Sequence, residues 1–298
     1  MLTVAVTGGK GGAGKSTIAT NVAVALSSMG KRVLLVDSDV DNPNDHIFLD
    51  VNPRRVMPIR IFTPEVDLDK CVKCGMCNAV CPEGAIVVKG VELPIVYEEA
   101  CCGCKSCLYI CPHNAIYNRG RDLGYVRSAT RGNLRVIVGE LKPTEAKSSL
   151  VVNKLIRIVK DYMKVENFDF VIIDTSPGVH SAVIQALRVA DVAIAVSEPT
   201  PLGVVTMKMT IDLLNAMKLK WIAFINKSTT SPNHREELEK LCKLHGAQAI
   251  FELPYDETIF RMNMNYKLFV ESDSPLKTVL FNLADYLVRL ELDKEGSA

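Results

Sequence analysis

The chain carries, close to its N-terminus, the run Gly9-Lys10-Gly11-Gly12-Ala13-Gly14-Lys15-Ser16. This run fits the pattern G-x-x-x-x-G-K-[ST], whose glycines let backbone N–H groups turn inward around phosphate oxygens. An apolar stretch at 2–7 predicts a buried strand before the loop, and apolar residues at helical spacing predict a helix from Lys15 to about Met29. The motif requires this strand–helix context, so we favour a phosphate-binding loop over a glycine-rich turn without a ligand.

The loop predicts binding of ATP or ADP together with Mg²⁺. The start of a helix carries partial positive charge from its free N–H groups, which favours phosphate there. Lys15 is expected to reach the β- and γ-phosphates, and the Ser16 hydroxyl is expected to bind Mg²⁺. We therefore assign the phosphate site to the loop from Gly9 to Ser16 and to Thr17 beside it.

Most of the remaining chain alternates between apolar strands and amphipathic helices. Val33-Leu34-Leu35-Val36-Asp37 predicts a second buried strand. A hairpin is predicted at 122–139, followed by helices near 147–163, 180–189, 203–218, 233–245 and 275–291 and by strands at 169–174, 191–196, 221–225 and 248–252. Such alternation predicts an α/β fold, here a P-loop NTPase whose mostly parallel sheet has helices on both faces.

The middle of the N-terminal half is rich in cysteine. Of the ten cysteines, only Cys242 lies outside the range from Cys71 to Cys111. Two runs share the frame C-x₂-C-x₂-C-x₃-C-P of bacterial ferredoxins, in which the fourth cysteine of each run ligates the other cluster. We therefore assign one [4Fe–4S] cluster to Cys71, Cys74, Cys77 and Cys111, and a second to Cys81, Cys101, Cys104 and Cys107.

The cysteine pattern leaves alternatives open. Structural zinc is one, although zinc ribbons usually pair two C-x₂-C knuckles rather than two triplets each followed by a distant Cys-Pro. Cys102 does not fit the frame and is either a free thiol or a packing residue. Cys242 lies on a predicted amphipathic helix and is expected in the core. The sequence thus predicts an inserted α+β ferredoxin-like domain at 58–119 within a discontinuous ATPase domain at 1–57 and 120–298.

The two lysines of the loop add a family resemblance. The spacing of Lys10, Lys15 and Ser16 resembles the deviant Walker A loop of the MinD/ParA/Mrp and nitrogenase-iron-protein ATPases. In that family the first lysine crosses a dimer interface to the partner's nucleotide. The resemblance implies that ATP drives homodimer formation and that Lys10 acts in trans on the charge of the transition state. A surface lysine beside the loop is the alternative.

Two aspartates follow strands in the manner of the family's switch segments. The segment around Asp39 resembles switch I, which implies that Asp39 helps to hold Mg²⁺ and orients the attacking water, with Asp37 and Asp41 structural or outside the metal's direct ligands. Asp174 ends a strand that resembles the Walker B strand, which implies that it reaches the metal through water. A helix cap is the alternative for an aspartate that ends a strand.

The resemblance also implies contacts with the base. Asn226 matches the family's adenine-reading asparagine, and Pro254-Tyr255-Asp256 resembles the segment that lies along the base. An asparagine after a strand is also a common turn residue. Over its whole length, the chain is similar to the MinD-superfamily ATPases that contain an inserted ferredoxin domain.

Composition and hydropathy narrow the choice of partners. Lys+Arg 35 against Asp+Glu 34 gives a net charge of +1, which gives no support to a nucleic-acid partner. No membrane-length apolar run and no N-terminal signal are visible, so we expect a cytoplasmic protein. The last predicted helix combines an apolar stripe with charges of both signs, which favours docking on the core over a membrane anchor.

Three functions are compatible with these patterns. The leading one is nucleotide-gated electron transfer to an unidentified redox partner, with slow, Mg-dependent, dimer-coupled ATP hydrolysis. The alternative is assembly of an Fe–S cluster or metal cofactor, or its transfer to an apo-target protein, by analogy to Mrp. Mrp uses a C-terminal C-x-x-C, which this chain lacks because Cys242 stands alone. The third is positioning or cell-division regulation in the manner of MinD, which the absence of a basic amphipathic tail weakens.

Overall fold

A central sheet organises the chain, whose computed structural model describes residues 1–89 and 93–296. The strands are β1 (Leu2–Thr7), β2 (Val33–Asp37), β3 (Arg54–Ile61), β4 (Pro64–Val66), β5 (Ile86–Val87), β6 (Ile95–Val96), β7 (Ile116–Asn118), β8 (Arg121–Arg131), β9 (Leu134–Leu141), β10 (Phe170–Asp174), β11 (Val192–Ser197), β12 (Lys220–Asn226) and β13 (Ile250–Leu253). The helices are α1 (Lys15–Ser28), α2 (Asp45–Phe48), α3 (Met76–Val80), α4 (Ser106–Ile110), α5 (Ser148–Val165), α6 (Ser181–Leu187), α7 (Pro201–Ala216), α8 (Pro232–Leu244), α9 (Glu257–Met264) and α10 (Lys277–Gly296), with a 3₁₀ turn at Phe269–Glu271.

Nine of the described strands form one sheet in the order β13-β12-β11-β1-β10-β2-β9-β8-β3. The strands from β13 to β9 run parallel, whereas β8 and β3 add an antiparallel edge. Every residue of β1, β2, β10 and β11 is buried, as expected of strands covered on both faces. The prediction of an α/β fold with a mostly parallel sheet is confirmed.

Helices cover both faces of this sheet. On one face α1 packs against α10, where Leu280, Leu283 and Leu287 are fully buried. Burial of a leucine side chain contributes about 1.5–3 kcal/mol as an upper estimate, so this stripe holds α10 firmly to the core. On the other face lie α5, α6, α7 and α8, with Cys242 buried in the cluster beneath α7 and α8 as predicted. Within the described ranges, no helix has the length and apolarity needed to cross a bilayer.

The predicted element boundaries differ from the structure by a few residues. The hairpin at 122–139 corresponds to β8 and β9, and the predicted helices correspond to α5, α6, α7, α8 and α10. Four short helices, α2, α3, α4 and α9, were not predicted because each offers too few turns to produce a helical periodicity. The strand β3 runs through the predicted domain boundary at residue 58 and pairs with β8 as far as Ile61. The central sheet therefore extends into the range 58–119 predicted for the insert.

The segment after β3 forms a small unit of its own. It contains two two-stranded sheets, β4 with β7 and β5 with β6, and the five-residue helices α3 and α4, each of which follows a cysteine loop. Its core is small, built on Phe62, Ile86, Cys107 and Ile116. A unit of this size buries little apolar surface, and such domains usually need a metal or a disulfide for stability. The predicted ranges 58–119 and 120–298 include positions 90–92, 297 and 298, which lie outside the described residues.

Candidate nucleotide site and cysteine cavities

The glycine-rich loop lies at the carboxyl end of β1, between the ends of β10 and β11. Ligands of open α/β sheets bind at this edge, where neighbouring strands lead to opposite faces. Gly14, which precedes α1, has a φ of +98°, a conformation that side chains with a Cβ rarely adopt. A Cβ at this position would also collide with the side-chain amide of Asn226. The loop geometry therefore depends on glycine here.

Asn226, which was predicted to read adenine, holds the loop in this structure. Its Nδ2 donates a hydrogen bond to the carbonyl oxygen of Ala13 at 2.9 Å, and its Oδ1 accepts one from the backbone N–H of Lys227 at 3.0 Å. Both polar ends of the buried side chain are therefore engaged. The contact of Asn226 with adenine stays a prediction, because the side chain would have to exchange at least one of these two hydrogen bonds for one to the base.

The hydroxyl of Ser16 and the carboxylate of Asp174 meet below the loop. Ser16 Oγ donates to Asp174 Oδ2 at 2.6 Å, while Asp174 Oδ1 is buried without a hydrogen-bond partner among the described residues. Burial raises the pKa of Asp174 to about 7, against the opposing effects of the Ser16 hydrogen bond and the Lys15 charge. A hard cation such as Mg²⁺ would give Asp174 Oδ1 the partner that it lacks. Ser16 and Asp174 therefore fit the predicted Mg²⁺ site.

Two further aspartates surround Asp174. Asp37 accepts backbone hydrogen bonds from Asp39, Asn44 and Asp45 at 2.8–3.1 Å, which fits its predicted structural role. Asp45 was not predicted, although it is fully buried and neither carboxylate oxygen has a partner among the described residues. Oxygens of Asp37, Asp45 and Asp174 lie within 4.8 Å of one another. Burial and the neighbouring carboxylates raise the pKa values of Asp37 and Asp45 well above normal.

Asp39 lies half-buried beside this group. Burial raises the pKa of Asp39, and the charge of Lys15 opposes that rise. Its neighbour Asp41 accepts a hydrogen bond from Ser148 Oγ at 2.9 Å, which ties the segment after β2 to the start of α5. Asp39 is thus close enough to Lys15 and Asp174 for their charges to interact, and its contact with Mg²⁺ and the attacking water stays a prediction.

The two lysines of the loop have different surroundings. Lys15 is 7% exposed, and its Nζ lies 3.4 Å from the carbonyl oxygen of Lys10. Burial lowers the pKa of Lys15, while the charges of Asp174 and Asp39 oppose that change. Lys10 instead forms an ion pair with Glu198, which also accepts a hydrogen bond from Lys227 Nζ at 2.8 Å. Sequence analysis did not predict a role for Glu198. Its position just after a predicted parallel strand could have indicated that it lies at the same edge of the sheet as the loop.

The segment after β13 lies close to the same edge. Asp256 caps α9, because its carboxylate accepts the N–H of Ile259 at 2.9 Å. Tyr255 is 48% exposed, and its backbone N–H donates to Thr229 Oγ1 at 3.1 Å. The contacts of Pro254, Tyr255 and Asp256 with a base remain predictions.

The structure gathers the cysteines into two cavities. One cavity is lined by Cys71, Cys74, Cys77 and Cys111, and the other by Cys81, Cys101, Cys104 and Cys107, with Cys102 in its wall. Each cavity therefore takes three cysteines from one run and the fourth from the other run, the arrangement assigned above from the ferredoxin frame. All described cysteines are free thiols rather than disulfides.

The sulfur atoms have repeated surroundings in the two cavities. The backbone N–H of Ala85 lies 3.2 Å from Cys81 Sγ, and that of Ala115 lies 3.3 Å from Cys111 Sγ. Hydrogen bonds of this kind stabilise negative charge on a ligating sulfur. Burial raises the pKa of Cys107 to about 11, so binding of a metal there must displace a proton. Four sulfur donors around each cavity fit an iron–sulfur cluster, and their chemistry also fits zinc.

Comparison with known proteins supports the nucleotide site. Residues 4–269 match the family described as the CobQ/CobB/MinD/ParA nucleotide binding domain. The chain is 35% identical to an uncharacterized protein of Methanocaldococcus jannaschii, over 76% of this chain and 78% of that protein. The family match over residues 4–269 includes the glycine-rich loop, Asp39, Asp174 and all the strands of the central sheet apart from the first two residues of β1, so it covers the whole site and not a single motif.

Two more distant relatives bear on function and fold. An iron–sulfur cluster carrier protein of Pyrococcus abyssi is 22% identical over 98% of this chain and 88% of its own length. The MinD cell division protein of Aquifex aeolicus aligns with a TM-score of 0.59 at 19% identity, covering 97% of each chain. At this level of identity, the second comparison describes a likeness of fold alone.

Proposed function

Because the chain belongs to the CobQ/CobB/MinD/ParA nucleotide-binding family, we propose that it is an ATP-hydrolysing iron–sulfur protein in which the nucleotide gates electron transfer to a partner. The electrons would pass through two [4Fe–4S] clusters held in the cysteine cavities. The observation that carries this proposal is the grouping of eight cysteines into two crossed sets in the chain that also bears the phosphate loop. A cluster in such a cage supplies one-electron chemistry, which the side chains alone do not provide.

A chain of contacts supports control by the nucleotide. Asp41, in the segment that resembles switch I, bonds to Ser148 at the start of α5. The adjacent Lys147 donates from Nζ to the carbonyl oxygen of Ala100 at 3.3 Å, directly before Cys101. A movement of switch I on nucleotide binding would therefore be transmitted to the second cysteine loop through two neighbouring residues.

An exposed apolar patch supports the proposed homodimer. Leu202, Val205 and Met209 on α7 are 54%, 58% and 48% exposed, and Thr206 of the same helix lies against Gly9 of the loop. Exposed apolar side chains grouped on one surface are typical of protein interfaces. The patch thus adjoins Lys10, the residue that would act on the nucleotide of the other protomer.

Lys10→Ala is expected to spare ATP binding and to lower the rate of hydrolysis. Lys10 lies outside the buried site and pairs with Glu198, so its loss leaves Lys15 and the loop amides in place. Removal of one preorganised cation from a phosphoryl transition state lowers kcat by about 10²-fold or more. Phosphate release under single-turnover conditions and calorimetric titration with MgATP measure the two effects. Normal turnover would contradict the trans-acting role, and Lys160→Ala is the exposed-lysine control.

Reduction of an acceptor by the anaerobically purified protein tests the proposed function. The reduced protein is mixed with an oxidised acceptor, with no nucleotide, with MgADP and with MgATP, and iron, sulfide and zinc are counted on the same sample. We expect two clusters' worth of iron and sulfide and an electron-transfer rate that depends on MgATP. Equal electron-transfer rates in all nucleotide states would refute gating by the nucleotide. Zinc in the cavities would refute the proposed electron-transfer function.

Cluster delivery is the second candidate, favoured by the likeness to the carrier protein of Pyrococcus abyssi. In that case a cluster is cargo rather than a resident cofactor, and iron would move to an apo-acceptor on addition of ATP. Complete sets of four cysteines argue for slow release, because no ligand position is left open. Measuring iron retained after incubation with an apo-ferredoxin and MgATP distinguishes the two functions.

A further inference from the structure

A basic cleft lies where the cysteine-bearing unit meets α5. It has a volume of about 440 Å³. Lys105 and Arg119 line it from the cysteine-bearing unit, Arg60 from β3, and Lys154 and Arg157 from α5. Five of the 35 lysines and arginines of the chain therefore share one opening.

Only part of this charge is neutralised within the protein. Arg60 pairs with Asp122 at 2.5 Å, and Arg119 pairs with Glu98 at 2.6 Å. Lys105, Lys154 and Arg157 have no ion-pair partner in the described part of the chain. Grouped like charges repel one another, and an anionic surface placed over them is attracted by all three at once.

The cleft adjoins the second cysteine cavity. Phe62, Cys102 and Lys105 line both the cleft and the cavity of Cys81, Cys101, Cys104 and Cys107. The wall between them is thus a single layer of residues. Cys102, which has no place in the cysteine frame, forms part of this wall. A protein seated on the cleft would approach the second cavity more closely than one bound elsewhere on α5.

We propose that this cleft is the docking site for an acidic face of the electron-transfer partner. The proposal rests on the function proposed above and specifies the charge of the partner and the cavity that it faces. The apolar residues Ile61, Phe62 and Leu150 line the same cleft. That combination suits the mixed apolar and acidic surface of a protein, and charge pairing at the rim speeds and orients a short-lived encounter.

Binding of a small acidic redox protein tests the proposal without relying on electron transfer. An oxidised plant-type [2Fe–2S] ferredoxin is titrated anaerobically into the cluster-loaded protein, and a basic c-type cytochrome is titrated in parallel. The double variant Lys154→Glu/Arg157→Glu reverses two cations of the cleft. The control variant Lys218→Glu/Lys220→Glu makes the same change in net charge at two exposed positions away from the cleft. Lys218 lies in the loop before β12, and Lys220 is the first residue of β12.

At low salt, the acidic probe should bind the native protein and the control variant with similar affinity. It should bind the cleft variant at least about tenfold more weakly. Raising the salt concentration should erase most of this difference, because exposed charges are screened. The basic cytochrome should show no loss with the cleft variant. Iron content and thermal midpoint of all variants are measured first, so that an unfolded variant is recognised.

Three outcomes would overturn the docking site. Two of them are an equal loss in the control variant and affinity for the acidic probe that does not depend on the cleft charges. The third is tighter, cleft-dependent binding of a single-stranded oligonucleotide, titrated in parallel as a third probe. The failure of the proposed function looks different. In that case binding would follow the cleft charges as expected, while acceptor reduction would be the same with and without MgATP.

Discussion

Lys15→Ala is expected to abolish measurable ATP binding. The lysine is almost fully buried beneath the loop, close to the carboxylates of Asp174 and Asp39. Its removal takes away the cation predicted to contact the β- and γ-phosphates and leaves the carboxylates facing the polyphosphate unshielded. Losing a charge-assisted contact to phosphate and adding repulsion weakens binding by about 3 kcal/mol or more, which is at least about a hundredfold.

Calorimetric titration with MgATP measures this effect, and a titration with MgADP shows whether the γ-phosphate is involved. Lys160→Ala removes an exposed lysine from α5 and should leave the affinity unchanged. A loss with Lys15→Ala accompanied by a lowered thermal midpoint would indicate unfolding rather than a lost contact, so both variants are melted without nucleotide. Binding of MgATP by folded Lys15→Ala with native affinity would contradict the assignment of the loop.

The sequence contains most of the information that positions this loop. The pattern around Lys15, the apolar strand before it and the periodic helix after it are local features, and the structure has all three. Asp39 and Asp174 could also be named in advance, because the segments around them resemble the family's switch I and its Walker B strand. These predictions depended on short-range pattern and on the family resemblance.

Other features depend on contacts that no local pattern encodes. Asp45 lies in a four-residue helix without periodicity, and its burial beside Asp174 is set by how β2 and β10 pair. Glu198 matters because the loop brings Lys10 to it across the end of β11. The basic cleft brings together Lys154 of α5 and Lys105 of the cysteine-bearing unit, which lie about fifty residues apart in the chain. Such juxtapositions follow only from the assembled fold.

The cysteine frame is an intermediate case. Its spacing predicted which cysteines share a site, because a rule for ferredoxins crosses the fourth cysteine to the other run. The structure brings the same two sets together. It also places Cys102 in the wall of the second cavity, which the spacing could not reveal.

Cys111→Ala is expected to remove about half of the iron, and to remove the cluster of the other cysteine run rather than its own. Cys111 lines the same cavity as Cys71, Cys74 and Cys77, although it follows Cys71 by forty residues in the chain. The loss of one of four thiolates leaves an open position from which a cubane is lost or degraded in air. Cys102→Ala is the matched control, because its sulfur lies outside the frame and both clusters should stay.

Spectra of the reduced variants show which cluster is missing. Under crossed ligation, the electron paramagnetic resonance spectrum of Cys111→Ala matches that of Cys74→Ala, and the spectrum of Cys81→Ala matches that of Cys104→Ala. If each run held its own cluster, Cys111→Ala would instead resemble Cys104→Ala. The two arrangements therefore predict opposite groupings of the same four variants. A grouping by run, or a loss of iron in Cys102→Ala, would show that the cavities hold their metal with a different set of sulfur atoms.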